Sequence, residues 1–323
     1  MTLTSLFGVT LAALAGLLGA QSGWAQAYPS APIVLVVPFA AGSGTDAVAR
    51  TVAKGLTDRL KQQVLVDNRA GASGQIAAQF VAAAKPDGYT LMMTTNTSHS
   101  ANPALFKTLR YDPIKDFTPV ARVGELPFAL LVNNKLPINS VAELIGYAKA
   151  NPGKLSYGTP NSTSLVASET INRIAGIKMV GVPYKSSPQA LTDLMGGSLD
   201  VYVCDLGSGG AMMKANRVRV LGTTNAGGSR NLPGAVPVAQ TLKGFDLTSW
   251  NGVFGPAGMP KAIVDRLNTE IQAVLADKDV QDKLAAAGFE VWPSKSPDEF
   301  ARYVSEQLAH WTVLIKDAGI QPE

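Results

Sequence analysis

The chain has 323 residues, enough for two domains with a full core in each, and 46% hydrophobic against 16% charged residues excludes a disordered protein. The net charge of +4 is scattered, with no Lys/Arg run interleaved with aromatics, so no nucleic-acid partner is expected. A single cysteine, Cys204, excludes an internal disulfide, and its place in the apolar run Leu199 to Cys204 reads as a buried strand thiol.

Leu6 to Ala20 is apolar and small, and Ala25-Gln26-Ala27 fits a small-x-small cleavage site. The run is shorter than the roughly 20 residues a membrane span needs. It reads as a signal peptide over residues 1–27, with a soluble, periplasmic mature chain starting near Tyr28. No Lys or Arg precedes the apolar core, which is atypical of a leader, and no cysteine follows it, so no lipid anchor is expected.

Beyond it, strand and helix patterns alternate. Ile33 to Val37 is a continuous apolar run, as in a strand covered on both faces. Pro38 to Gly44 is a loop, and Thr45 opens a helix with Val48, Val52, Leu56 and Leu60 at helical spacing. A strand at Val64 to Val66, a helix from Gln75 to Ala84 and a strand at Tyr89 to Thr94 complete a βαβαβ order, which predicts a largely parallel sheet. Phe128 to Val132 is the next strand, and Ser140 with Glu143 forms a capping box for a helix through Ala150. Leu155 to Gly158 is a short strand before a helix with Val166, Ala167, Thr170, Ile171 and Ile174 on one face. Val180 to Val182, Val201 to Cys204 and Arg219 to Leu221 are strands, and Ser187 is expected to cap a helix with Pro188 at its first position. Near Trp250 the chain returns to the first sheet. Two amphipathic helices follow, one with Ile263, Leu267, Ile271 and Leu275, the other with a Ser296/Glu299 capping box and a Phe300, Val304, Leu308 stripe. The expected architecture is two α/β domains, the second inserted into the first: 28–126 plus 246–323, and 127–245.

Ligands in open α/β sheets bind at the carboxyl ends of strands, near helix starts. Three strand-to-helix loops there are rich in small and hydroxyl residues: Phe39 to Asp46, Thr94 to His99, and Gly158 to Ser164. Free N–H groups at helix starts favour an anion, and neutral Ser, Thr and Asn donors suit a carboxylate that is bound and released. Each set also fits ordinary helix capping. Asp46 falls in a first helical turn, where its charge complements the helix dipole. Asp205 ends a strand and would repel an all-carboxylate ligand. Lys185 is a candidate counter-ion, or simply a solvated lysine.

Enzymatic alternatives are weaker. Gly42-x-Gly44-x-x-Ala47 after a strand, with Asp67 about 20 residues on, approximates a dinucleotide fingerprint. Four residues, Pro38 to Ala41, loosen its turn, and Asp46 would face the pyrophosphate. Only two histidines occur. His99 lies in a loop where a ligand is within reach, and His310 reads as a surface residue. No Gly-x-Ser-x-Gly elbow and no metal-ligand spacing is present, so neither catalytic residues, a cofactor nor a metal is expected.

At these loops the chain resembles the periplasmic solute-binding receptors of tripartite tricarboxylate transporters, the Bug receptors. The matching stretches are Ile33 to Asp46, Val66-Asp67-Asn68-Arg69, Pro86 to Leu91, Ala101 to Phe106, Tyr157-Gly158-Thr159-Pro160, Val182-Pro183-Tyr184-Lys185, Leu191 to Leu194 and Trp250-Asn251-Gly252. They keep the family's order across essentially the whole mature chain. The resemblance implies a periplasmic-binding-protein (Venus-flytrap) fold that closes on a small organic acid, a di- or aromatic carboxylate, and docks as a monomer on membrane transporter subunits. A sensor role is the alternative. The ligand contacts it implies are Phe39, Gly42, Ser43, Gly44, Thr45, Asp46, Thr95, Asn96, Ser98, Thr159, Ser162, Thr163, Ser164 and Asp205. Ser43 interrupts the family's consecutive glycines, Ala70 stands where proline is common, Asn161 and Thr163 are bulkier than usual, and Leu165 and Val166 are less polar. An apolar wall of Phe39, Leu165 and Val166 would suit an aromatic or longer aliphatic acid.

Overall fold

The computed structural model describes residues 28–323; the expected signal peptide lies outside the described residues. The first strand, β1 (Ile33–Val37), is central in a six-stranded sheet with β2 (Val64–Asn68) on one side and β3 (Thr90–Thr95) on the other, both parallel to it. β10 (Ser249–Pro256) follows β3, then β4 (Phe117–Leu126) and the short β11 (Glu290–Val291), all antiparallel to their neighbours. The second sheet has the order β7 (Val180–Pro183), β6 (Ser156–Thr159), β8 (Val201–Asp205), β5 (Phe128–Val132) and β9 (Arg219–Thr223). In it β6 is parallel to β7 and β8, while β5 is antiparallel to β8 and β9. The expected parallel pairing therefore holds for β1 to β3 in the first sheet and recurs for β6 to β8 in the second, while the remaining pairs are antiparallel. β4, which the sequence pattern does not announce, and β10 carry the chain between the sheets; β4 points the same way as β1 to β3, and β10, the return strand between them, runs against that direction.

Both sheets are covered on both faces, which explains their unbroken apolar strands. In the first, Leu35, Val37, Leu91 and Met93 face α1 (Gly44–Leu60) and α8 (Lys261–Ala276), while Val36 and Met92 face α2 (Gln75–Ala82) and α10 (Pro297–Asp317). In the second, Leu130, Val132, Val201 and Val203 pack under α4 (Val141–Ala150) and α5 (Ser162–Ala175). Ala129, Leu131, Tyr202 and Cys204 pack under α6 (Ser187–Gly196) and α7 (Leu206–Lys214). Cys204 is a fully buried free thiol. A short α3 (Asn102–Leu105) and α9 (Lys278–Ala286) complete the helices.

The chain passes between the sheets at Pro127 and again between Thr223 and Ser249. The two passages lie side by side, since Thr224 N–H donates to the Phe128 carbonyl at 3.0 Å. The hydroxyls of Ser140 and Ser296 accept from the N–H of Glu143 and Glu299, as the capping pattern requires. The cap of α6 is Ser186, not Ser187; Ser187 is already helical and its hydroxyl is used elsewhere. On α5, Ile174 is exposed while Val166, Ala167 and Ile171 are buried. No helix among the described residues is long and apolar enough to cross a membrane.

Candidate ligand-binding site

The two lobes meet around a cavity of about 20 Å³ lined by both. By volume it has room for about one water. Four helices begin at it. α1 contributes its cap Ser43 with Gly44 and Thr45, α5 its cap Asn161 with Thr163, α6 its first residue Ser187, and α7 its cap Asp205. Each start carries N–H groups without an intrahelical partner and the positive end of a helix dipole. Thr95, Thr97 and Ser249 add hydroxyls, and Phe39, Leu126 and Phe128 supply the apolar remainder. No Lys, Arg or His is among the lining residues, so helix ends and hydroxyls set its positive potential.

Asp205 is the acid of this cavity. It is 3% exposed, accepts from Ser208 N–H at 2.6 Å as the α7 cap, and accepts from the Ser187 hydroxyl at 3.1 Å. Burial pushes its pKa up, against the opposing pull of the Ser208 and Ser187 hydrogen bonds. Asp46 is used differently. Its carboxylate accepts from Gly42 N–H, Asn68 Nδ2 and the Arg50 guanidinium, all near 3.0 Å. Burial works to raise its pKa, but Arg50, the Gly42 amide and Asn68 together hold it below the ordinary carboxylate range. It fastens the loop before α1 and does not line the cavity.

The seam is latched by direct bonds between lobes. Gly44 N–H donates to Ser208 Oγ at 3.0 Å. Asn96 Nδ2 donates across to Thr163 Oγ1 at 3.0 Å and Ser162 Oγ at 3.3 Å, while its carbonyl is held within its own lobe by Ser249 Oγ, which donates to it at 2.5 Å. Thr97 Oγ1 lies 2.9 Å from Ser162 Oγ. Asn96 is fully buried, so truncation leaves two buried hydroxyls, those of Thr163 and Ser249, without partners, each worth roughly 1–3 kcal/mol. Asn96→Ala should therefore shift the protein toward separated lobes, read as a larger radius of gyration by small-angle scattering than the unmutated chain. An unchanged radius would mean the seam does not depend on this residue.

Of the sequence-derived contacts, Ser43, Gly44, Thr45, Thr95, Thr163 and Asp205 are brought together at this cavity, and Phe39 lines it and a larger neighbouring one. Thr159 and Ser162 line only the larger cavity. Gly42, Asp46, Asn96, Ser98 and Ser164 line neither. Gly42, at φ +80°, makes the turn into α1. Ser98 bonds to Thr94 and His99, and Ser164 turns into its own lobe to the Val203 carbonyl. Val166 is buried in the core, so the expected apolar wall keeps Leu165 and Phe39 but loses Val166. His99 is fully buried between Phe117 and Phe254, and burial lowers its pKa to about 3, so it is a neutral core ring and touches neither cavity. Asp67 pairs with Arg69 at 2.7 Å.

Two layered α/β lobes joined by two crossovers around a polar seam define the periplasmic-binding-protein (Venus-flytrap) fold. The chain belongs to the tripartite tricarboxylate transporter family receptors, whose profile matches residues 48–320. That family is one of substrate-binding receptors. Similar solved structures include R. palustris Rpa4515 with adipate, 36% identical with a TM-score of 0.88 over 92% of this chain and 100% of that one. The periplasmic binding protein BugD is 31% identical, with a TM-score of 0.85 over 92% and 100%. MatC from Rhodopseudomonas palustris with bound malate is 31% identical, with a TM-score of 0.83 over 89% and 100%.

Proposed function

We propose that this protein is a non-catalytic periplasmic receptor that captures a small organic carboxylate between its lobes and delivers it to membrane subunits of a tripartite tricarboxylate-type transporter. The observation that carries this reading is the convergence of four helix starts, from two lobes, on one cavity free of cationic side chains. Such a site neutralises one carboxylate without the grip of a buried ion pair, which suits capture followed by release. The adipate and malate bound by its relatives support the same ligand class.

In this reading the moving units are residues 28–126 plus 246–323, and 127–245, and the mature chain begins near Tyr28. A carboxylate larger than one water enters only when the lobes separate, and it must favour the closed state to be retained. The closed monomer is the form the membrane subunits read. The contact set is Ser43, Gly44, Thr45, Thr95, Asn161, Thr163, Ser187, Asp205 and Ser249. No cofactor takes part.

A thermal-shift screen of the chain against mono-, di- and tricarboxylates, aromatic acids and NAD tests this. A ligand at about 100 times its Kd stabilises by about 2.7 kcal/mol, a midpoint rise of several degrees at this size. A rise with carboxylates and none with NAD is the expected result. A rise with NAD alone would overturn the reading.

A further inference from the structure

Asn251 lies inside the first sheet, on β10 between β3 and β4, opposite Thr95 on one side and Gly124 on the other. It is fully buried and follows Ser249 by two residues, so the two side chains share one face of the strand. Ser249 lines the small cavity, whereas Asn251 lines neither cavity. The Asn251 Nδ2 donates to Thr45 Oγ1 at 3.2 Å, and its Oδ1 has no hydrogen-bond partner among the described residues. A buried amide carbonyl left unpaired destabilises a fold, and a β-branched apolar side chain suits a central strand better. Packing and polar satisfaction therefore do not account for asparagine at this place.

Thr45 is the second residue of α1, 3% exposed, and part of the small cavity's wall. Its hydroxyl differs from the others of its helix. Thr51 and Thr57 donate back to the carbonyls of Ala47 and Ala53, both at 2.9 Å, so their protons are already engaged. Thr45 Oγ1 accepts from Asn251 and donates to nothing among the described residues. A hydroxyl carries one proton and two lone pairs. With a lone pair taken by the amide from inside the sheet, the proton is directed away from Asn251, towards the cavity. A hydroxyl that accepts one bond is also polarised into a stronger donor of the next.

We propose that Asn251 is a positioning residue for ligand capture: it makes the Thr45 hydroxyl a fixed donor to the ligand carboxylate, and it acts through that hydroxyl alone. With the amide reversed, Oδ1 would draw the Thr45 proton inwards and leave lone pairs facing the anion. The end of the amide that meets Thr45 thus sets the sign of the contact. The proposal rests on the carboxylate-receptor reading above.

Titration calorimetry of the chain with acetate, malate, adipate, citrate and benzoate selects the tightest acid, and a double-mutant cycle with that acid tests the proposal. Thr45→Val should weaken binding about tenfold or more, the loss of a hydrogen bond to a charged group. Asn251→Val should weaken it about three- to tenfold alone, and by less than about twofold when residue 45 is already valine. The ligand-free thermal midpoint of Asn251→Val should stay close to that of the unmutated chain, since a hydrogen bond and an unpaired carbonyl are removed together. Should Asn251→Val fail to fold, Asn251→Ala enters the same cycle. Equal loss of affinity in both backgrounds, or no loss at all, would overturn this assignment and leave the receptor reading intact. Binding of none of these acids by the unmutated chain would overturn both.

Discussion

Gly207→Ala should lower carboxylate affinity by about ten- to a hundredfold while leaving the ligand-free protein folded. Gly207 is the second residue of α7, and a Cβ there would lie 2.6 Å from the Gly44 Cα at the start of α1. The obstacle is backbone of the opposite lobe, which no side-chain rotation relieves. Overpacking of this kind costs about 1–3 kcal/mol, and 1.4 kcal/mol is tenfold in binding. Within its own lobe the added methyl meets the Asp205 carboxylate at 3.3 Å, a tight contact that alanine's better helix propensity, roughly 1 kcal/mol, offsets. Ligand-free unfolding should therefore be unchanged or slightly later. Gly210→Ala is the matched control: it lies in the same helix, and a Cβ there meets nothing within 4 Å. Equal affinities for the two variants would mean that the ligand is held without the α1–α7 contact, and the closed-lobe reading of the seam would fail.

The reciprocal position makes the same point. A Cβ on Gly44 would collide with the Asp205 carboxylate and lie 2.8 Å from Leu126 Cδ2. Neither Gly44 nor Gly207 has positive φ, so close approach of two helix starts, not turn geometry, is what requires glycine at both places. The glycine-rich loop before α1 thus resembles a dinucleotide fingerprint because both solve a problem of backbone proximity. Here the neighbour is the other lobe.

The elements with one uninterrupted period were legible from sequence: β1 as a run of five apolar residues, α1 from its i, i+4 stripe, α4 and α10 from their serine caps. β4 was not, because Pro119, Arg122, Gly124 and Glu125 break its pattern. Arg122 is tolerated there by donating to the Trp292 carbonyl and lying over the Trp292 ring, contacts made 170 positions away in the chain. At the site, strand-to-helix loops were the right place to look, but composition does not say which way a side chain turns. Ser164 and Thr163 are equally polar neighbours, yet Thr163 lines the cavity and Ser164 bonds into its own lobe. Leu165 and Val166 divide in the same way, by about 100° of helix rotation. Ser249 escaped notice because it starts a strand. Antiparallel pairing of β10 with β3 carries that start to the same end of the sheet as Thr95. Ser187 was read as a cap, and its donation to Asp205 is a tertiary fact.

Asp205→Asn should tighten carboxylate binding near pH 8 by about tenfold or more and flatten its pH dependence. In the unmutated protein a ligand carboxylate in the small cavity would share it with Asp205, and two carboxylates at close range do not both ionise readily. Burial already holds the pKa of Asp205 above its ordinary value, and a bound anion must raise it further. Binding then takes up a proton, so affinity is highest below the free-state pKa and falls as pH rises, by up to about tenfold per pH unit, levelling above the bound-state pKa. The protonated carboxyl donates to the ligand, which converts repulsion into a hydrogen bond. Stability follows the same sign. A raised folded-state pKa means that ionising Asp205 costs stability as pH rises through it, so the asparagine variant should unfold at a higher temperature at neutral pH. Its amide oxygen keeps the cap bond to Ser208, since asparagine caps helices as well as aspartate does. Titration calorimetry of both proteins from pH 5.5 to 8 in buffers of different protonation enthalpy measures the proton uptake directly. A flat profile in the unmutated protein, with no proton uptake, would place the ligand carboxylate beyond the reach of Asp205 and remove it from the contact set.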